Sequence, residues 1–168
     1  MNSLSLVIRS EHPSDSEAIE RLHERAFGPG RFARTASRLR EGVPHLMDVS
    51  FTALVGTLIV GSVRLTPVIA GEVPALMLGP LTVDPYFENR GIGAALMEKA
   101  LQTAREHGHK LVLLVGDEPY YRRFGFRMIP PEQLSLPGPV NPARFLAAEL
   151  EDGIMGSVQG VVHHGPKS

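Results

Sequence analysis

The sequence predicts an α/β domain built on a mixed, mostly antiparallel central sheet flanked by helices. Three observations carry that expectation. Between residues 51 and 83, three apolar segments follow one another with only short turns between them, the pattern of an antiparallel meander. From 92 to 104, apolar residues recur at helical spacing. Leu111–Val115 is then an unbroken apolar run, as expected of a strand buried on both faces.

Taken in order, residues 4–9 predict a first strand. Ser14 stands three residues before Glu17, a capping box that predicts a helix start. Ala18, Ile19, Leu22, Ala26 and Phe27 give that helix its apolar stripe before Gly28-Pro29-Gly30 ends it. Residues 31–41 predict a short charged surface helix with Phe32, Ala36 and Leu39 on its apolar side. In the meander, strands at 51–55 and 58–68 are joined by Gly56-Thr57, and residues 70–74 turn into a third, more buried strand at 75–83. Asp84-Pro85 stops it. Ile92, Leu96, Ala100 and Ala104 then stack at i, i+4 with Met97 and Leu101 beside them, and Gly108 is the expected C-cap glycine. Residues 119–124 predict a short helix and 130–142 a Pro- and Gly-rich loop. Residues 145–150 and 157–162 are expected to close as a strand pair, with 163–168 as a loose tail.

Length bounds the chain to one compact domain, residues 1–168, with a core of its own. The 17 basic and 18 acidic residues leave a net charge of −1, which argues against a surface that neutralises many nucleic-acid phosphates. Cysteine is absent, which removes disulfides, thiolate metal sites and a cysteine nucleophile together. The longest apolar stretches are broken by Gly or Pro and are too short for a bilayer span, and residues 1–9 do not form a signal peptide, so a soluble, cytoplasmic protein is expected. Seven histidines are scattered without His-Glu-x-x-His spacing, and no metal site is expected.

The chemistry-bearing segment is Glu88-Asn89-Arg90-Gly91-Ile92-Gly93-Ala94, between the buried strand and the strong helix. Two glycines a residue apart at a helix start let a ligand approach bare backbone, where unpaired N–H groups and the helix dipole favour an anion. Alone, such a pair is more often simple turn and packing chemistry. A dinucleotide fingerprint would need Gly or Ala three residues after Gly93, where Leu96 stands, and the Gly-Lys-Ser/Thr of a P-loop does not occur.

The segment Leu78-Gly79-Pro80-Leu81-Thr82-Val83-Asp84-Pro85, continued by Arg90-Gly91-Ile92-Gly93-Ala94-Ala95-Leu96, closely resembles the acetyl-CoA-binding motif of the GNAT superfamily of N-acetyltransferases. Tyr121-Arg122-Arg123-Phe124-Gly125-Phe126 resembles the second motif of that family, and the order of elements over residues 6–150 is also similar. Gly116-Asp117-x-Pro119-Tyr120-Tyr121 is similar to a bacterial subgroup of predicted acetyltransferases. The resemblance implies a GNAT-like fold, acetyl-CoA as co-substrate and direct attack by the primary amine of an acceptor. It implies that backbone amides of Asn89, Arg90, Gly91, Ile92, Gly93 and Ala94 hold the pyrophosphate, with Arg90 adding charge. The main chain of Leu81, Thr82 and Val83 would pair with the pantetheine arm as an added strand, Phe124 would belong to the cofactor site, and Tyr121 would give a proton to the departing thiolate. The strand must then splay from 111–115, and Gly79-Pro80 is where the family's bulge would fit, its amide polarising the thioester carbonyl. Relatives often pair through C-terminal strands, so the resemblance also allows a homodimer; it implies neither a nucleic-acid nor a membrane partner.

Two departures stand out. Glu88 occupies a position that is usually Gln or Arg, and a carboxylate beside a pyrophosphate is electrostatically unhelpful unless it turns to solvent. Residues 75–83 contain no carboxylate to act as base. The expectation is a free amine drawn from solvent, or a water chain reaching Glu72 or Asp84 at the ends of the strand. These departures support a rival, a non-catalytic acyl-CoA-binding or regulatory module on the same fold. Arg31, Arg34, Arg38 and Arg40 read either as a solvated basic face or, since they border the region where acceptors of the family bind, as a contact for an acidic acceptor or the CoA 3′-phosphate, and Arg122-Arg123 has the same two readings.

Overall fold

A computed structural model describes residues 5–27 and 43–165. The expected helix at 31–41, with its four arginines, lies outside the described residues. Strands β1 (Leu6–Ser10), β2 (Phe51–Val55), β3 (Leu58–Ala70) and β4 (Val73–Val83) pair antiparallel in sequence order, which bears out the meander. A two-residue turn joins β2 to β3, and Gly56 supplies the positive φ it needs. β5 (Leu111–Val115) adds parallel to β4, and Leu111 through Leu114 are at most 2% exposed, as an unbroken apolar run requires.

The C-terminal part differs from expectation. β8 (Phe145–Glu149) does not pair with β9 (Gly160–His164). Instead β8 fills the free edge of β5 and carries the short β6 (Arg127–Met128) beyond it, giving the order β1-β2-β3-β4-β5-β8-β6. β9 crosses back to the far end of β3, where Val68 faces His164 and Ala70 faces Val162, and also pairs with β7 (Leu134–Ser135). An apolar strand with an open edge must be covered, and both segments answer that demand separately. His163 and His164 thus belong to a strand and not to a tail.

Helices cover the two faces. α2 (Ile92–Glu106) buries Ile92, Leu96, Met97, Ala100, Leu101 and Ala104 on one of them. It ends in a Schellman motif, with Gly108 N–H donating to Arg105 O and His109 N–H to Ala104 O. Gly61 lets it approach: a Cβ there would stand 2.9 Å from Leu96 Cδ1 and 3.2 Å from Ile92 Cγ2. α1 (Ser16–Phe27) covers the other face with Ile19, Leu22 and His23, while Ala26 is exposed. A 3-10 turn at Pro13–Asp15 leads into it, and the capping box there joins His12 to Asp15, whose Oδ2 accepts from His12 N–H at 2.8 Å, two residues ahead of the expected Ser14–Glu17 pair.

Candidate functional site

The site forms where β4 and β5 part. Their ladder is confined to Leu76↔Val112 and Met77↔Leu113, yet β4 runs on to Val83. At the same level β4 carries a bulge. Val63 faces Leu81 and Leu65 faces Leu78, so one residue of β4 in the segment Gly79-Pro80 is extra. Beyond it, Leu81, Thr82 and Val83 pair with β3 on one side and leave their other edge toward the opening. Leu81 and Val83 are half-buried against the α2 side of the core, and Thr82 is buried on the opposite side.

From the end of β4, Asp84 organises the turn that follows. Its Oδ1 accepts from Tyr86 N–H at 2.9 Å, its carbonyl from Phe87 N–H at 2.8 Å, and its own N–H donates to Val60 O at 2.8 Å. Its Oδ2 lies 3.0 Å from Arg25 Nη2, which ties α1 to the same corner. Asn89 (φ 62°) and Gly91 (φ 79°) are both left-handed, and such a succession turns backbone N–H groups to one side. The first bond of the helix is Ala95 N–H to Gly91 O at 3.0 Å, so the amides of Ile92, Gly93 and Ala94 precede the ladder and remain available. A Cβ on Gly91 would meet nothing within 4 Å, and one on Gly93 would touch Tyr120 Oη and Val83 Cγ2 at 3.7 Å. The loop is therefore open at Gly91 and floored by β4 and Tyr120 at Gly93. Arg90 lies exposed over the Phe87 ring at 5.3 Å. Glu88 is exposed.

Tyr121 ends α3 (Glu118–Tyr121), which starts just beyond the separating end of β5. Its ring packs edge-on to Tyr120 (4.9 Å) and to Phe126 (6.1 Å), and a Cβ on Gly116 would collide with it. Burial pushes its phenol up, with the neighbouring Tyr120 and Asp117 adding to the rise. Phe124 is half-buried, 5.6 Å from Tyr120, with Arg123 over its ring at 5.0 Å, and Arg122 is held by Glu118 at 2.7 Å. The two carboxylates considered as distant bases are poorly placed. Glu72 lies exposed in the β3–β4 turn, roughly 20 Å along the strand from the bulge. Asp84 is engaged by Arg25 and Tyr86.

Sequence reasoning missed Tyr120 as the floor of the loop, the Arg25–Asp84 tie and a buried polar network beside β3. In that network Glu11, 2% exposed, receives Arg64 Nε on Oε1 at 3.1 Å and Arg64 Nη2 on Oε2 at 3.0 Å, and pairs with His45 Nε2 at 2.8 Å. The signal available was a polar side chain recurring on otherwise apolar strands.

The parted parallel strands, the bulge in β4 and the free amides at the start of α2 thus border one opening. Comparison with known proteins bears on this opening. The chain matches, over residues 48–128, the family model described as acetyltransferase (GNAT) domain. It is 29% identical over 161 residues to an Escherichia coli K12 protein named uncharacterized N-acetyltransferase YhbS, covering 95% of this chain and 96% of that one. The crystal structure of E. coli YhbS in complex with CoA superposes with a TM-score of 0.81 at 26% identity, over 98% of this chain and 92% of that one. A Brucella melitensis GNAT acetyltransferase in complex with acetyl-CoA superposes with a TM-score of 0.74 at 25% identity, over 98% and 99%.

Proposed function

We propose that this acetyl-CoA-dependent N-acetyltransferase moves the acetyl group directly to a primary amine. The observation that carries the reading is the parting of β4 from β5 after Met77, immediately beside the phosphate-ready start of α2. In this reading the amides from Asn89 to Ala94 hold the pyrophosphate, and Arg90 adds charge at the exposed rim. The free edge of Leu81, Thr82 and Val83 pairs with the pantetheine arm, and Phe124 borders it. The bulge turns an N–H toward the thioester carbonyl, where negative charge grows as the amine attacks. The free amine attacks to form the N–C bond, the C–S bond breaks with its electron pair going to sulfur, the nitrogen sheds one proton to solvent, and the sulfur leaves with a hydrogen bond from Tyr121.

Two measurements test this. Acetyl-CoA should raise the melting temperature by mass action, and thiol release should follow addition of a suitable amine from a panel. Gly91→Val should abolish the thermal shift while the protein stays folded, because a branched side chain both strains a left-handed position and enters the open approach to the loop. A Gly91→Val protein that binds CoA as the parent does would overturn the loop assignment. A thermal shift without thiol release from any amine would favour the binding-module reading.

A further inference from the structure

The proposed reaction draws Tyr121 from the run Gly116-Asp117-x-Pro119-Tyr120-Tyr121 and leaves Asp117 without a task. Equal steps onward from the last ladder pair, Met77↔Leu113, set Gly79-Pro80 of β4 level with Val115-Gly116, and Leu81 level with Asp117. The end of β5 thus faces the bulge across the opening. Tyr121 packs on Gly116 there, where a Cβ would collide with its ring. Asp117 belongs to the same turn, since its carbonyl accepts from Tyr120 N–H at 3.1 Å and from Tyr121 N–H at 3.0 Å.

The Asp117 side chain is fixed from outside that turn. Its Oδ1 accepts from Arg144 Nη1, and Gly116 N–H donates to Arg144 O at 2.9 Å. Arg144 ends a 3-10 turn capped by Asn141, whose Oδ1 accepts from Ala143 N–H at 3.0 Å. Two links therefore tie the residues that follow the 130–142 loop to the rim of the opening. The pair is nevertheless open to water, with the Asp117 side chain 71% exposed and that of Arg144 45%. So exposed a pair contributes little to stability. Among the described residues Asp117 Oδ2 has no hydrogen-bond partner. The neighbouring Glu118 is already held by Arg122 at 2.7 Å. Both charges of the pair reach the Tyr121 phenol, Asp117 working to raise it and Arg144 to lower it.

An attacking amine must come close to that phenol. It approaches the thioester carbon to about 3–3.5 Å, and that carbon is bonded to the sulfur on which Tyr121 is proposed to act. A neutral amine also becomes positively charged as its N–C bond forms. A carboxylate beside it therefore interacts more strongly with the transition state than with the bound amine.

We infer that Asp117 receives the acceptor amine, its Oδ1 steadied by Arg144 and its Oδ2 accepting an amine N–H as the nitrogen attacks the thioester. The inference rests on the acetyl-transfer reading and adds to it the group that faces the nitrogen. The amine arrives neutral, having lost the proton of its ammonium form to solvent. Its lone pair forms the N–C bond while the carbonyl electron pair moves onto oxygen. The nitrogen gives its surplus proton to Asp117, which passes it to the surrounding water. The carbonyl re-forms, the C–S bond breaks with its electron pair going to sulfur, and the thiolate leaves hydrogen-bonded to Tyr121.

The test uses the best amine of the panel with the parent, Asp117→Asn, Asp117→Glu, Arg144→Gln and the double variant Asp117→Asn/Arg144→Gln. For each, kcat and KM for the amine, the Kd for acetyl-CoA and the melting temperature are measured. Asn keeps an oxygen for Arg144 but loses the charge. Asp117→Asn should therefore melt with the parent and bind acetyl-CoA unchanged, while kcat/KM falls at least about tenfold. Asp117→Glu, which keeps the charge, should recover part of that loss. Arg144→Gln should lose less than Asp117→Asn, because it removes the support and not the group that meets the amine. The double variant should lose at least as much as Asp117→Asn. Equal losses in Asp117→Asn, Arg144→Gln and the double variant would reduce the pair to a strut and overturn the inference. A parent-like kcat/KM in Asp117→Asn, or a loss matched by weaker acetyl-CoA binding, overturns it as well, and each of these results leaves acetyl transfer standing. Absence of transfer by the parent to every amine overturns the acetyl-transfer reading, and this inference with it.

Discussion

A phenol beside a leaving thiolate has a job set by relative acidity. A free thiol titrates near 8.5 and a phenol near 10, and burial pushes Tyr121 higher still. Tyr121 therefore keeps its proton across the physiological range, and in the proposed reaction it would stabilise the departing sulfur chiefly by donating a hydrogen bond. Tyr121→Phe keeps the ring stacked on Tyr120 and Phe126 but deletes that donor. The expected outcome is an unchanged Kd for acetyl-CoA with kcat lowered by at least about tenfold, read by steady-state thiol release and calorimetric binding. An unchanged kcat would shift attention to Tyr120, whose hydroxyl stands over the Gly93 position of the loop. At this scale the sequence was legible where residue type and spacing act together, as in Gly91, Gly93 and Tyr121. It was not legible at His23 or Arg25, because a single polar residue in a helix reveals its partner only when the sheet beneath it is assembled. Thr52, Ser62, Thr66 and Thr82, all buried, were the trace left on the strands.

The elements that make the site were largely readable because each has a local cause. Period-two and unbroken apolar runs gave the meander and β5, and the i, i+4 stripe with its terminal glycine gave α2. The C-terminal strands were not, since their partners are chosen by which sheet edges remain open after β1 to β5 have formed. The seating of α2 depends on one backbone approach. A methyl group at Gly61 would stand 2.9 Å from Leu96 Cδ1 and 3.3 Å from Ala53 Cβ, and Leu96 and Ala53 are fully buried. Gly61→Ala should therefore cost about 1–3 kcal/mol, as overpacking of a dense core does. It should also weaken acetyl-CoA binding, because the displaced helix carries the phosphate loop at its start. Urea unfolding and a CoA titration check both. A variant that matches the parent in both would show that α2 is not seated through this contact.

Across the whole molecule, two buried carboxylates join distant segments and make the fold acid-sensitive. Glu11 links the end of β1 to Arg64 on β3 and to His45 on the stretch leading into β2. Asp15 links the start of α1 to Arg9 at 2.7 Å. Burial by itself works to raise the Glu11 carboxyl, but the hydrogen bonds from His45 and Arg64 prevail and hold it below its ordinary 4.5. The Arg9 hydrogen bond holds Asp15 below its ordinary 3.8 against a smaller effect of burial. Groups lowered in the folded state bind fewer protons there than when unfolded, so their contribution is complete above those ordinary values and disappears as pH falls through the lowered ones. The urea midpoint should accordingly hold from neutral pH to about 5 and then decline steadily with further acidification. Glu11→Ala strands Arg64, whose side chain is only 12% exposed, without its main partner. It should lose roughly 3–5 kcal/mol at neutral pH, the usual cost of breaking a buried pair from one side. Below pH 5 its midpoint should fall less steeply than the parent's, since one of the two acid-sensitive links is already gone. Parallel declines in the two proteins would place the acid sensitivity elsewhere in the chain.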